Sequence, residues 1–350
     1  MSLLDLARPD LRHFTPYSSA RREAAADGVL LNANESPVSA VDGPLAGLNR
    51  YPDPQPKAVI GRLAGLYGVS PEQLLVTRGS DEGIDLLLRA FCVAGKNAIV
   101  TMPPTFGMYR VAAGIQNAAV VEVALGPAPR FAMEIQSVLA ACDARVRLVF
   151  VCSPNNPTGS VVAAEQVAQL CQALDGRALV VLDEAYGEFC ASAAGPKLLA
   201  QHGNLVVLRT LSKAWGLAGA RCGAVLADAE VIGLLGSIMA PYPLSLPAMR
   251  CVEQALDDPG AGERLRWLIE ETRWLADKLA ELTAILEVYP SEANFVLVRL
   301  ADKSAVMAAL AREQIVVRDV GKQPGLADCV RISTGLREEN QRLLAVLESL

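Results

Sequence analysis

The sequence predicts an α/β fold: a large unit with a mostly parallel sheet flanked by helices, and a small α+β unit after it. Three observations carry that prediction. From about residue 46 to 240, short β-branched apolar runs alternate with amphipathic stretches at helical spacing. Several of those runs end in polar or glycine-rich turns, where open α/β sheets place their sites. The last third opens instead on a long stretch rich in charge pairs and continues with short strands between helices.

Taken in order, residues 1–45 read as a polar arm with little periodicity, apart from Leu31 to Glu35. Residues 46–240 form the large unit, with strands expected at 98–101, 119–123, 146–151, 179–182, 205–208 and 223–226. Helices are expected there at 81–93, 162–174 and 228–236. Residues 231–249 carry no charge, a pattern that can mark a membrane span. Pro241, Pro243 and Pro247, with Gly233 and Gly236, argue against a spanning helix. The segment reads as a helix end followed by a buried extended turn. A connecting helical segment, 241–283, contains a long helix at 262–283. The C-terminal unit, 284–350, has strands at 286–289, 295–299 and 330–333 between helices at 303–313 and 337–349.

Composition narrows the function classes. At 350 residues and 52% hydrophobic content, the chain can bury a large core. A net charge of −6 without a basic stripe argues against general nucleic-acid binding. None of the eight cysteines stands at C-x-x-C spacing, and most lie in apolar runs. That suits buried thiols in a reducing cytoplasm better than disulfides or a zinc site. Only His13 and His202 are present, so no histidine-rich metal centre is expected. Asp5, Arg8, Pro9 and Asp10 interrupt any apolar leader. Neither a G-x-G-x-x-G nor a Walker A loop occurs.

The most informative run is Leu208-Arg209-Thr210-Leu211-Ser212-Lys213-Ala214-Trp215-Gly216-Leu217-Ala218-Gly219-Ala220-Arg221. A lone lysine is most often a surface residue. Lys213, however, follows an apolar strand among small and apolar neighbours, where an amine loses hydration and its proton affinity falls. A neutral lysine is the nucleophile for a Schiff base with an aldehyde. Thr210, Ser212 and Arg221 nearby supply donors for a phosphate. Pyridoxal phosphate combines those two features. It also needs a carboxylate at its pyridinium nitrogen, donors to its ring oxygen and a flat surface against its ring.

Each need has a candidate. Asp183 ends the apolar run 179–182 and either pairs with a buried cation or caps the next segment. Tyr186 is either a half-buried core tyrosine or a donor to the ring oxygen. The turn Cys152-Ser153-Pro154-Asn155-Asn156-Pro157-Thr158-Gly159 presents Asn156 as a second donor, and an Asn-Pro bond can be cis. In Arg78-Gly79-Ser80-Asp81-Glu82-Gly83, Ser80 reads as an N-cap. The free amides of that first turn suit an anion.

Together these residues resemble the fold-type I pyridoxal-phosphate aminotransferases, and within them the histidinol-phosphate aminotransferase family. The resemblance runs nearly end to end. Besides the motifs above, it rests on Leu31-Asn32-Ala33-Asn34-Glu35, Arg50-Tyr51-Pro52 and Pro103-Pro104-Thr105-Phe106-Gly107-Met108-Tyr109. It rests also on Ala240-Pro241-Tyr242-Pro243-Leu244-Ser245, Val317-Arg318-Asp319 and Arg331-Ile332-Ser333. It implies that Lys213 bonds the cofactor aldehyde, that Asp183 pairs with the ring nitrogen, and that Asn156 and Tyr186 contact the ring oxygen. Ser80, Asp81, Thr210 and Arg221 are then the phosphate cup, the first two through backbone amides. Phe106 would stack on the ring where close relatives have tyrosine. Tyr51 would reach the cofactor phosphate of a second subunit, giving a homodimer with shared sites. Tyr17, Arg318 and Arg331, with Asn156, would bind substrate. The implied reaction joins glutamate and imidazole acetol phosphate to histidinol phosphate and 2-oxoglutarate. Aromatic amino-acid transamination and threonine-phosphate decarboxylation are alternatives on the same fold.

Overall fold

The computed structural model describes residues 2–16, 29–43 and 46–350. Tyr17 lies outside the described residues. In chain order the regular elements are α1 (Lys57–Tyr67), β1 (Leu74–Thr77), α2 (Ser80–Phe91), β2 (Ala98–Thr101), α3 (Met108–Ile115), β3 (Ala119–Glu122), α4 (Ile135–Ala141), β4 (Val146–Cys152), α5 (Ala164–Leu174), β5 (Leu179–Asp183), α6 (Gly195–Leu199), β6 (Leu205–Thr210), β7 (Gly223–Leu226), α7 (Ala229–Ile238) and α8 (Leu246–Leu256). Then follow α9 (Ala261–Ala280), β8 (Ile285–Val288), β9 (Phe295–Leu300), α10 (Lys303–Arg312), β10 (Arg318–Asp319), β11 (Cys329–Ser333) and α11 (Arg337–Glu348).

Strands β1 to β7 form a seven-stranded sheet in the order β1-β7-β6-β5-β4-β2-β3. The pairs β2–β3, β2–β4, β4–β5 and β5–β6 are parallel, whereas β7 runs antiparallel to both its neighbours. Alternation along the central strands explains why they read as unbroken apolar runs. Val180, Leu182, Leu205 and Val207 face one core layer, and Leu179, Val181, Val206 and Leu208 face the other. A sheet covered on both faces needs apolar residues at every position.

The register brings the strand ends into line. Cys152 lies beside Asp183, and Asp183 beside Leu208. Gly223, the first residue of the reversed strand β7, lies beside Thr210 and beside Thr77 of β1. Because β7 runs backwards, its entry loop, which contains Arg221, meets the exits of β5 and β6 at one edge. The remaining strands form an antiparallel sheet in the order β10-β11-β9-β8, whose apolar face packs on Leu275, Leu279, Leu310, Leu343 and Leu344.

The structure corrects the sequence reading in several places. Strand β1 and helices α1, α3, α4 and α6 were not anticipated, and the long helix ends at Ala280 rather than 283. The uncharged stretch does contain a helix end and a turn, but the turn stops at Ser245. There the Ser245 hydroxyl accepts from the Ala248 N–H and starts α8, with Pro247 in its first turn. Proline is tolerated at that position because the first amides of a helix have no intrahelical acceptor. Among the described residues no helix is long and apolar enough to cross a membrane. Seven of the eight cysteines are buried, Cys251 is exposed, and none is paired.

Candidate active site

A cavity of about 650 Å³ opens where the carboxyl edge of the large sheet meets the small sheet. Ser80, Asp81, Phe106, Asn156, Asp183, Tyr186, Thr210, Ser212, Lys213, Arg221, Arg318 and Arg331 all line it. The structure thus brings together twelve residues from seven separate stretches of sequence.

Asp183, the last residue of β5, is 2% exposed. The Tyr109 hydroxyl donates to its Oδ2 at 2.7 Å and the Ala185 N–H to its Oδ1 at 3.1 Å. Burial nevertheless raises its pKa to about 6, because these two neutral donors only partly offset lost hydration. A carboxylate in that state favours a cation beside it.

Lys213 follows β6 in a turn closed by bonds from the Gly216 N–H to the Lys213 carbonyl and from the Leu217 N–H to the Leu211 carbonyl. Its ammonium lies 5.8 Å from the centre of the Tyr186 ring. Burial lowers the proton affinity of this amine, and the Arg331 cation lowers it further. Burial pushes the Tyr186 phenol upward, so it keeps its proton and can donate. Asn156 spans two of these groups. Its amide nitrogen donates to the Tyr186 hydroxyl at 3.4 Å, and its Oδ1 accepts from the Arg331 guanidinium. The Asn156–Pro157 peptide is cis.

Donors for an anion gather at the start of α2. Gly79, not Ser80, is the cap residue, at φ 77°, and Ser80 is the first helical residue. That φ lies in the left-handed region, which favours glycine, and the surroundings are close. A Cβ on Gly79 would stand 2.8 Å from the Arg221 guanidinium, and one on Gly223 would stand 2.7 Å from the Gly79 backbone. No side-chain cap hydrogen bond forms, so the amides of that first turn stay available at the positive end of the helix. Arg221 adopts the left-handed conformation at φ 52° and reaches Asp81 Oδ2 at 3.3 Å. Thr210 donates to Ser212 Oγ at 3.0 Å beside it.

The opposite end carries two arginines. Arg318 of β10 stands directly across from Arg331 of β11, an arrangement unfavourable for like charges. Burial lowers the proton affinity of Arg331, and the Arg318 cation acts in the same direction. The buried Nε of Arg331 has no partner among the described residues.

Three contributors escaped sequence reasoning. Tyr109 follows Phe106 by one helical turn, and the ring contact between them is edge-on at 5.6 Å. Only the fold shows that its hydroxyl meets Asp183. Asn155, 3% exposed, donates to the Pro104 carbonyl at 2.8 Å and accepts from the Thr105 hydroxyl at 2.8 Å. It thereby ties the loop holding Phe106 to the loop holding Asn156. Arg209 is buried between Glu184 and Glu188 beneath the site. All three are polar residues inside motifs of the sequence, but membership of a motif does not say which partner a side chain meets.

Tyr51 does not line this chain's cavity. It is 49% exposed and stacks on Tyr242 with ring centres 4.6 Å apart. Glu35 accepts from both the Tyr51 N–H and the Arg50 guanidinium, which joins the two arm motifs.

The family pattern of the class I and II aminotransferases matches residues 29–347. The chain belongs to that family. This aminotransferase is 49% identical to the histidinol-phosphate aminotransferase of Xanthomonas euvesicatoria pv. vesicatoria, over 99% of this chain and 97% of that protein. It is 47% identical to the enzyme of the same name from Pectobacterium carotovorum, with the same coverage. Among solved structures, it resembles the histidinol-phosphate aminotransferase of Sinorhizobium meliloti in complex with pyridoxal-5'-phosphate. The TM-score is 0.77 at 28% identity, covering 86% of this chain and 82% of that one.

Proposed function

We propose that this aminotransferase moves an amino group from glutamate to imidazole acetol phosphate, giving L-histidinol phosphate and 2-oxoglutarate, with pyridoxal phosphate as cofactor. The observation that carries this reading is one cavity that holds both a buried carboxylate favouring a cation and a facing pair of arginines.

The residues fit that cofactor. Asp183 would meet the pyridinium nitrogen, and Tyr186 and Asn156 the ring oxygen. Arg221, Thr210, Ser212 and the amides of Ser80 and Asp81 would hold the phosphate. Phe106 offers a flat ring face. Bound there, pyridoxal phosphate supplies an aldehyde that accepts the amino group and a protonated ring that withdraws electrons.

The protein's own groups do the rest. Lys213 Nζ, with its proton affinity lowered by burial, takes the proton from the substrate carbon that bears the nitrogen. Asp183 holds the ring nitrogen protonated through its negative charge. Tyr186 retains its proton and donates it to the ring oxygen. Arg318 and Arg331 bind whichever anion enters, since a guanidinium fork fits carboxylate and phosphate alike. Tyr17 would add a hydroxyl to that end. Tyr51 would serve the cofactor phosphate of a second copy, which makes the working unit a homodimer. Cytoplasmic residence fits the unpaired, mostly buried thiols.

An acceptor panel tests the reading. With glutamate as donor, kcat/KM for imidazole acetol phosphate should exceed that for phenylpyruvate by about tenfold or more, the scale of a charge-assisted hydrogen bond. Equal or reversed preference would overturn the assigned substrate.

A further inference from the structure

Two adjacent asparagines in the turn after β4 have different neighbours. Asn156 lines the cavity, whereas Asn155 does not and is 3% exposed. Both N–H groups and the carbonyl oxygen of the Asn155 side chain are engaged. Its amide nitrogen donates to the Pro104 carbonyl at 2.8 Å and to Thr158 Oγ1 at 2.7 Å. Its Oδ1 accepts from the Thr105 hydroxyl at 2.8 Å. A carbonyl only accepts, so Pro104 decides which end of the amide faces it. The main chain of Asn155 closes the turn: its N–H donates to the Ser160 carbonyl at 2.8 Å, and the Gly159 N–H donates to its carbonyl at 2.7 Å.

These bonds join two strand exits. Thr105 and Phe106 belong to the loop between β2 and α3, and both line the cavity. Asn155 and Asn156 belong to the turn between β4 and α5. The bond from Thr105 therefore fixes the residue before Phe106 to the residue before Asn156. The turn is also held at its other end. The Gly159 carbonyl accepts from the Glu292 N–H at 3.0 Å, and a Cβ on Gly159, which sits at φ 74°, would stand 2.3 Å from Ser291 Oγ. Thr158 is 1% exposed, and its Oγ1 stands 2.8 Å from Ser160 Oγ. Buried polar groups are costly to leave unpaired, so this set favours a single arrangement.

We infer that Asn155 is a positioning residue that fixes Phe106 against Asn156 and so holds the stacking face and the ring-oxygen donor at one separation. Asn155 does not line the cavity, and it acts through its two neighbours. The inference rests on the reading that pyridoxal phosphate binds in this cavity.

Visible absorbance and visible circular dichroism of the cofactor-loaded protein test it. Thr105→Val keeps the shape and removes the hydroxyl that reaches Asn155 Oδ1. Asn155→Ala removes the whole clamp. Cofactor retention should fall about threefold in Thr105→Val and about tenfold in Asn155→Ala, the scale of one and of several lost hydrogen bonds. The dichroic signal per bound cofactor, which reports how the ring is held, should fall in both. In a Phe106→Ala background, Asn155→Ala should cost less retention than it does in wild type, because part of its effect runs through that ring. Unchanged retention and dichroism in the two variants would overturn the inference, as would losses that multiply in full with Phe106→Ala. A lower thermal midpoint with an unmoved dichroic signal would also overturn it, because that is a purely structural role. If Asn155→Ala fails to fold, Thr105→Val decides alone by the same signals. A wild-type protein that gives no visible band with pyridoxal phosphate would remove the reading of the cavity and the inference together, whereas a wild-type band leaves only the clamp at issue.

Discussion

Asp183 and Lys213 show how one physical term tunes two groups in opposite senses. Desolvation disfavours the charged form of each, so the acid rises and the amine falls. For Asp183 this has a measurable sign. Its pKa is about 6 in the folded protein against an ordinary 3.8, so the fold binds that proton more tightly than the unfolded chain. The associated stability is complete at low pH and is lost as pH rises through about 6. Cofactor-free wild type should therefore lose stability relative to Asp183→Asn between about pH 4 and pH 7, on the order of 2–3 kcal/mol. Parallel thermal melts of the two proteins across that range provide the check, and a constant gap would refute the assignment. The two residues were readable in the sequence because each follows a β-branched run, and strand exits in such sheets are where sites form. Tyr109 was not readable. Its hydroxyl reaches Asp183 across 74 residues of chain, and helical spacing alone says nothing about what lies opposite.

At the scale of elements, α2 is the part most dependent on close fit. Its buried face includes Ile84, Leu87, Leu88 and Phe91, all in the core layer shared with Leu208 and Val225. Gly83 sits where the helix presses on the sheet, and a Cβ there would stand 2.7 Å from Val225 and 3.1 Å from Leu208. Gly83→Val should force the helix outward and cost about 1–3 kcal/mol, the usual penalty for overpacking. Because the same helix presents the Ser80 and Asp81 amides to the cavity, cofactor retention should fall with it. Urea midpoints and cofactor titration on one preparation would test the coupling; a destabilised variant with unchanged retention would contradict it. The amphipathic pattern of α2 was visible in the sequence, but its start was misread. Ser80 has a good capping side chain, yet Gly79 takes the cap position at φ 77°, a conformation that favours glycine. Strand β1 is absent from the sequence reading. Its place in the fold comes from pairing with β7, which is distant in sequence.

At the scale of the molecule, a chain of net charge −6 holds Arg221, Arg318 and Arg331 around one cavity, a local positive focus for anionic ligands. Tyr51 stands on the surface, away from that cavity, which agrees with service to a neighbouring copy. Shared sites make a specific prediction. A Tyr51→Ala protein and a Lys213→Ala protein, each inactive alone, should regain part of the wild-type activity when mixed under conditions that allow subunit exchange. Steady-state turnover after mixing is the measurement, and no recovery despite demonstrated exchange would rule out sharing. We also propose unit limits near residues 45, 240 and 283, which limited proteolysis would map.

The arginine pair rides on the four-stranded sheet, whereas Lys213, Asp183 and Arg221 ride on or beside the seven-stranded one. On the roles proposed above, recognition and chemistry would therefore have separate mechanical supports. Changes confined to β10, β11 and their loops can alter which anion is gripped while the catalytic groups keep their places. An architecture of that kind lets a lineage acquire new substrates without rebuilding its reaction.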